Sequence, residues 1–172
     1  MNYLARNNLI IFLFFLGAHF PLKAQLPDHH FVEINQSPEW EIYPGQRKNL
    51  EVNIKMLEGY HIQANQVQDP NLIPTSVTTI EVPFNIVVYN PIFPQPEPFK
   101  LRDAQDSMMV FQQTLRIYIP VEVKNEAKIG QHKITMNLHY QACDAVKCYF
   151  PRDLPFMINV VVNERTPDRE NR

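Results

Sequence analysis

The spacing of apolar and polar residues along this chain predicts β-strands. In four segments every second residue is apolar over five residues or more, which is the period of a strand with one buried face. These segments are Leu50–Met56, Leu115–Ile119, Ile134–Tyr140 and Phe156–Val162. Weaker strand candidates are Phe31–Asn35, Trp40–Tyr43, Tyr60–Ala64, Ser76–Val82 and Phe84–Tyr89.

Turn residues separate these segments and prolines argue against long helices. The turns contain Pro44-Gly45, Glu58-Gly59, Asp69-Pro70 and Ile129-Gly130. The chain has 15 prolines, and no segment shows convincing helical periodicity. About seven to nine short strands with regular turns predict an all-β fold, an immunoglobulin-like antiparallel β-sandwich.

One segment interrupts the strand and turn pattern. Asn90–Asp106 contains Pro91, Pro94, Pro96 and Pro98, a composition typical of stiff, extended chain. It is either a long surface connection or a functional cap or binding loop, since long ordered loops in compact domains often have a role.

The N-terminus is typical of a secretory signal. Arg6 precedes an apolar run from Leu9 to Phe20, and the polar break that follows predicts cleavage after Ala24. The run has about 12 residues, whereas a bilayer span needs roughly 20. We therefore expect three parts in a periplasmic or secreted protein: a signal peptide at 1–24, one domain at 25–165 and a disordered tail at 166–172. No later segment is apolar enough to span a membrane, so we expect no membrane span after signal cleavage.

Charge and motifs exclude several functional classes. The formal net charge is −2, and no basic patch of the kind that binds nucleic acid or a membrane surface is present in the sequence. With only 4 glycines the chain has no Gly-rich phosphate loop, and it lacks an H-E-x-x-H motif and a nucleophile elbow. We expect no cofactor, and hydrolytic chemistry has little support.

The candidate chemistry lies in the two cysteines, Cys143 and Cys148, the only ones in the chain. In an oxidising compartment they can persist as a disulfide, which is then either a structural staple or a redox-active pair. A bridge over four residues must lie at a hairpin or loop end, and it contributes only about 2 kcal/mol in the chain-entropy model. A zinc site is disfavoured because two thiolates need two further ligands, and His29-His30 is expected in a solvated linker.

The surroundings of the cysteines suggest unequal sulfurs. Continuing the inward set of the preceding strand places Ala142 inward and Cys143 outward, toward solvent. Lys147 favours a thiolate on Cys148, whereas Asp144 disfavours one on Cys143. Such a pair suits dithiol exchange, in which one sulfur attacks and the other resolves.

These residues resemble a known family. The run Tyr-Gln-Ala-Cys-Asp at 140–144, followed by Cys148-Tyr149 and Pro151, is similar to the signature of the N-terminal, immunoglobulin-like periplasmic domain of the thiol:disulfide interchange protein DsbD. The run Gly-Tyr-His-Ile at 59–62 and the strand that starts at Trp40 are further similarities. The resemblance spans roughly 31–163.

The resemblance implies a function and roles for individual residues. Such a domain exchanges electrons with thioredoxin-like proteins; Cys148 would form the mixed disulfide and Cys143 would resolve it. The segment Pro98-Phe99-Lys100 matches the family's cap, with Phe99 covering the sulfurs. Tyr60 and His61 would line the neighbouring strand. Alternatively, Tyr60 is an aromatic residue of the core and His61 is a surface histidine.

Two departures from the family pattern limit the comparison. Phe150 stands where many members have a proline. The sequence also ends at Arg172 without a membrane electron carrier or thioredoxin-like domain, so a separate membrane carrier is an expected partner. The sequence thus predicts a thiol:disulfide exchange domain. It is a thiol:disulfide oxidoreductase if the cysteine pair is redox-active. The alternative is a non-catalytic exported β-sandwich binding module with Cys143–Cys148 as a structural disulfide.

Overall fold

The structure, a computed structural model, describes residues 30–36 and 39–165. The predicted signal peptide at 1–24 and the predicted tail at 166–172 lie outside the described residues. In the described ranges the chain forms twelve β-strands and no α-helix, which confirms the all-β prediction. None of these residues belongs to a helix with the length and apolar character needed to cross a membrane.

The strands follow the predicted segments closely and include three that alternation does not predict. In chain order they are β1 (Val32–Gln36), β2 (Trp40–Ile42), β3 (Arg47–Met56), β4 (His61–Gln63), β5 (Ser76–Glu81), β6 (Ile86–Val88), β7 (Glu97–Phe99), β8 (Met108–Gln112), β9 (Thr114–Val123), β10 (Gly130–Tyr140), β11 (Ala142–Cys143) and β12 (Arg152–Val162). The unpredicted strands are β7, β8 and β11.

Two four-stranded sheets form the sandwich. One has the order β1-β3-β9-β6 and the other the order β2-β12-β10-β5. Every second side chain of the four long strands enters one continuous apolar core, as the alternation predicts. Its central members are Leu50, Val52, Ile54, Leu115, Ile117, Ile119, Ile134, Met136, Leu138, Ile158 and Val160.

One strand pair departs from the antiparallel prediction. β2 pairs in parallel with β12, through Trp40 with Val160 and Ile42 with Val162. β1, only three residues earlier in the chain, pairs antiparallel with β3 in the other sheet. The N-terminal part of the domain therefore contributes one edge strand to each sheet of the sandwich. β1 is an antiparallel edge strand and β2 is a parallel one.

A third sheet, with the order β11-β4-β8-β7, carries the cysteines. Its inner face adds Ile62, Phe111 and Ala142 to the core. The proline-rich segment supplies its edge strand β7, so this segment is more than a surface connection. Pro98 is compatible with that strand because an edge position does not require every backbone N–H to pair. The segment is also anchored by Phe93, whose ring stacks on Phe111 at 6.0 Å between centroids.

Candidate functional site

A disulfide joins Cys143 and Cys148 across a short hairpin, as the spacing requires. The two residues face each other as an antiparallel bridge with Cα atoms 3.9 Å apart, closer than the roughly 4.4–6.8 Å usual for a disulfide. Backbone hydrogen bonds flank the bridge, from Asp144 N to Lys147 O (2.9 Å) and from Tyr149 N to Ala142 O (2.8 Å). The cysteines thus occupy a non-hydrogen-bonded position, where facing Cα atoms come closest.

Asp144 organises the turn between the cysteines. Its Oδ1 accepts hydrogen bonds from the backbone N–H groups of Val146 (2.7 Å) and Lys147 (2.8 Å), and its Oδ2 accepts one from the Tyr149 hydroxyl (2.7 Å). The tyrosine hydroxyl and the two amides lower the pKa of Asp144 to about 2. The same carboxylate raises the pKa of Tyr149 to about 12. Lys147 lies with Nζ 5.0 Å from the centre of the Tyr149 ring.

The burial of the two sulfurs is unequal. Ala142 belongs to the core and Cys143 does not, so strand parity places them on opposite faces as predicted. The expectation that Cys143 points to solvent is wrong, because its exposed fraction is 0%. The outer face of the third sheet is covered at this point, whereas Cys148 is only half-buried. Cys148 is therefore the sulfur with the better access to another molecule.

The strand and loop that begin at Glu97 lie on the same face of the third sheet as His61, the strand neighbour of Cys143. β7 pairs with β8, placing Phe99 opposite Met108 on the outer face of the third sheet. The ring of Phe99 lies 3.9 Å from that of His61 between centroids, and His61 is the strand neighbour of Cys143. The backbone N–H of Arg102 donates to Ala145 O (2.8 Å), which ties the following loop to the cysteine turn. We call residues 97–107 the cap.

His61 is buried beneath the cap. Only 2% of its surface is exposed, so the alternative of a surface histidine is wrong. Its Nε2 has no hydrogen-bond partner within the described ranges. Burial lowers the pKa of His61, and the nearby Asp144 carboxylate opposes that shift only in part. Burial therefore favours the neutral form of this imidazole beside Cys143.

Gln63 is a site residue that the sequence interpretation missed. Its Nε2 lies 3.1 Å from Cys143 Sγ, 3.6 Å from Cys148 Sγ and 3.2 Å from Met108 Sδ. The side chain is fully buried. Strand parity carries a signal that would have identified it: once Ile62 is assigned to the core, His61 and Gln63 share the opposite face, the one that also holds Cys143.

Tyr60 contacts the cysteine hairpin through an aromatic cluster. Its ring centroid lies 4.8 Å from that of Phe31 and 5.9 Å from that of Tyr149, and those two rings are 4.7 Å apart. Gly59, with φ of 81°, forms the turn that leads into β4. Tyr60 thus supports the hairpin from the side of Tyr149, and it also packs against the core.

The polar residues just before Cys143 fix the hairpin to the sandwich. The Tyr140 hydroxyl, fully buried, accepts a hydrogen bond from Phe31 N at 3.2 Å. Gln141 bridges two segments, since its Oε1 accepts from Ile73 N (3.0 Å) and its Nε2 donates to Tyr149 O (3.1 Å). The Tyr-Gln part of the predicted motif therefore has a structural reason: it holds the position of the cysteine turn.

A cleft of about 630 Å³ opens beside the cap. Its lining includes Tyr60, His61, Phe99 and Ala145 from around the disulfide, with charged residues farther out such as Glu58. The structure thus gathers the predicted site residues around one hairpin. In the part of the chain that the structure describes, no group of three or more His, Cys, Asp or Glu side chains could hold a metal ion.

Comparisons with solved structures find matches at low sequence identity. The chain is 19% identical to the DsbD N-terminal domain of Neisseria meningitidis in the reduced form, covering 64% of this chain and 75% of that one, with a TM-score of 0.40. It is 13% identical to the N-terminal periplasmic domain of ScsB from Proteus mirabilis, covering 83% of this chain and 51% of that one (TM-score 0.45). It is 8% identical to a PapD-like domain of human CEP192, covering 96% and 100% (TM-score 0.39). No curated protein sequence matches the chain.

The family comparison covers most of the domain. Residues 29–158 match the family described as thiol:disulfide interchange protein DsbD, N-terminal. The match includes both cysteines, the cap and all four strands of the third sheet. The resemblance noted in the sequence is confirmed, and the chain belongs to the DsbD N-terminal domain family.

Proposed function

We propose that this chain is a periplasmic thiol:disulfide exchange domain that passes electrons through Cys143 and Cys148 to or from thioredoxin-like proteins. The observation that carries the proposal is the placement of the disulfide. Cys143 is fully buried outside the hydrophobic core, on the face of the third sheet that also carries the cap, and Cys148 is half-buried across the hairpin from it. A staple serving only stability has no need of a cap.

The unequal burial supports distinct roles for the two sulfurs. Cys148 is half-buried and Cys143 is fully buried, so an incoming thiolate has better access to Cys148. Attack there would produce a mixed disulfide on Cys148 and release Cys143, which would act as the resolving sulfur in the reverse direction. Lys147, the residue before Cys148, adds a positive charge to the turn.

Family membership supports the choice of partner. Thioredoxin-like proteins are the partners that the family implies, and a separate membrane electron carrier would connect the domain to a source of electrons. We further propose the domain limits 25–165, a signal peptide at 1–24 and a tail at 166–172. The signal peptide would deliver the domain to the periplasm, where the disulfide can form.

The exposed apolar residues of the turn support docking of another protein. Val146 is 58% exposed and Phe150 is 92% exposed, each two residues from Cys148. Exposed aromatic side chains beside a reactive group are typical of interaction sites, since they lose contact with water when a partner binds.

Trapping the mixed disulfide tests the proposal. Cys143→Ser removes the resolving sulfur, so covalent complexes with a thioredoxin-like protein should accumulate in acid-quenched periplasmic extracts on non-reducing gels. Cys148→Ser is the matched control and should accumulate few or none. If neither variant traps a partner, the non-catalytic module with a structural disulfide replaces the exchange function. If only Cys148→Ser traps, exchange stands and the roles of the two sulfurs are reversed.

A further inference from the structure

The amide of Gln63 is a polar group enclosed next to three sulfur atoms. Its N–H end contacts both cysteine sulfurs and the Met108 thioether, at 3.1, 3.6 and 3.2 Å. Its Oε1 has no hydrogen-bond partner within the described ranges. A buried amide with an unsatisfied oxygen and only sulfur acceptors is costly for folding, because neutral sulfur is a weak acceptor. Stability alone therefore gives no reason for a glutamine at this position.

The backbone holds Gln63 firmly in this orientation. Its N–H donates to Gln141 O at 3.1 Å, and its carbonyl accepts from the Thr75 hydroxyl at 2.5 Å. Thr75 is itself buried and donates its N–H to Ala64 O at 3.0 Å. Strand pairing on both sides of β4 then fixes which face the side chain occupies. The amide is thus positioned in advance, with its donor end directed at Cys143.

We propose that Gln63 is a positioning residue that stabilises the thiolate of Cys143 when the disulfide opens; this rests on the proposed exchange function. The thiolate of a partner dithiol attacks Cys148 Sγ, the Cys143–Cys148 bond breaks, and Cys143 Sγ leaves with the electron pair. The second partner thiol then loses its proton and attacks the partner sulfur of the mixed disulfide, releasing Cys148 as a thiolate. The partner is oxidised by two electrons, the domain is reduced, and both cysteine sulfurs take up protons.

A thiolate on Cys143 needs such a donor because it forms away from water. Burial raises the pKa of a thiol, and Cys143 has no exposed surface. The ionisable groups near it are His61 across the strand pair, and Asp144, Lys147 and Cys148 in its own turn. Burial favours the neutral form of His61, and the Asp144 carboxylate is negative. The Lys147 ammonium lies over the Tyr149 ring. The Gln63 N–H is the donor that contacts this sulfur, and a hydrogen bond to a charged acceptor is about twice as strong as a neutral one.

The thiol pKa of Cys143 tests the assignment directly. In a Cys148→Ala background, Cys143 is the sole cysteine, so its pKa can be followed through the rate at which an alkylating reagent modifies it as pH is raised. Gln63→Met keeps the side-chain length and removes the N–H donor. We expect it to raise the Cys143 pKa by about one unit or more, and to slow reduction of the intact disulfide by a small dithiol roughly tenfold.

A matched control is Gln131→Met. Gln131 pairs with Val161 in the main sandwich, and its amide donates to Glu39 rather than to sulfur. This variant should leave the Cys143 pKa and the reduction rate unchanged. Gln63→Leu provides a second donor-free variant if Gln63→Met does not fold, as judged by near-ultraviolet circular dichroism.

The outcomes separate this inference from the proposed function. If the Cys143 pKa is the same in the protein with Gln63 and in a folded donor-free variant, Gln63 is only structural and the inference fails. That conclusion holds even if the wild-type domain exchanges with a thioredoxin-like protein. If the pKa rises as expected but the wild-type domain exchanges with no dithiol protein, the proposed function fails while Gln63 still stabilises the thiolate.

Discussion

The ring of Phe99 lies 3.9 Å from the ring of His61 between centroids, tilted by 41°. Phe99 belongs to the edge strand of the cap and His61 to the strand that pairs with Cys143. This contact links the cap to the strand beside the disulfide. The contact lies outside the main core, since neither ring belongs to the core cluster.

The first prediction concerns access to the disulfide. Phe99→Ala should speed reduction by a small dithiol several-fold, because the anchor of the cap on His61 is lost and the sulfurs become easier to reach. Stability should change little, since Phe99 lies outside the core and is only half-buried. The measurement is the rate of thiol appearance under a fixed excess of reductant.

Phe84→Ala is the control for this experiment, because Phe84 is an aromatic residue with 88% of its surface exposed and lies before β6 in the main sandwich. Its reduction rate should match that of the wild type. An unchanged rate in Phe99→Ala would mean that Phe99 does not shield the sulfurs.

The second prediction concerns the energetic role of the disulfide. Reducing it should lower the free energy of unfolding by about 2 kcal/mol, the value for so small a ring, and should leave the domain folded. The reason is that the two main sheets bury their core without either cysteine. Urea unfolding of the oxidised and reduced forms measures the difference. A reduced form that is unfolded without urea would indicate a structural staple.

The third prediction is a pH dependence from His61. Burial places the folded-state pKa of His61 below its unfolded value near 6.5, so the unfolded chain binds the proton more readily. The free energy of unfolding therefore has its full value, as far as His61 is concerned, above pH 6.5. It falls as the pH drops from 6.5 toward the folded-state pKa of His61.

His61→Phe keeps an aromatic ring against Phe99 and removes the titration, so its stability should change less between about pH 7 and pH 5. The measurement is the urea midpoint at each pH. His132→Gln, which removes an imidazole that hydrogen-bonds to Lys128 O in the main sandwich, is the control and should retain the wild-type dependence. Equal pH profiles for wild type and His61→Phe would contradict the prediction.

The fourth prediction concerns Asp144. Its pKa of about 2 lies below the usual 3.8, so the charged carboxylate favours the folded hairpin. That stabilisation is present above pH 3.8 and is lost as the pH falls toward 2. Asp144→Asn should lower stability at neutral pH and flatten the acid dependence, because the amide is a weaker acceptor for the two turn N–H groups and the Tyr149 hydroxyl.

Chemical denaturation across the acid range tests this point, with Glu81→Gln as the control. Glu81 is exposed at the end of β5, away from the cysteine hairpin. Its variant should keep the acid dependence of the wild type. An acid dependence in Asp144→Asn as steep as that of the wild type would assign the effect to other carboxylates.

Sequence alone determined the main sandwich and the location of the disulfide. The long strands β3, β9, β10 and β12 have one face in the core and the other toward solvent, so their alternation can be read directly. The hairpin disulfide followed from the spacing of Cys143 and Cys148. The position of Phe99 beside His61 was indicated only by the family resemblance, because nothing local in a proline-rich segment shows which residues it contacts.

Tertiary structure decided how the site is enclosed. β8 gives no alternation because Val110 and Phe111, on opposite faces, are both buried, one under the cap and the other in the core. Gln63 reaches Cys143 across 80 residues of sequence, and a contact at that distance depends on how three strands pair rather than on any local pattern. The same pairing buries Cys143, which parity alone had directed to solvent. Local periodicity tells which face a side chain occupies, but only the assembled sheet and its cap determine whether that face meets water.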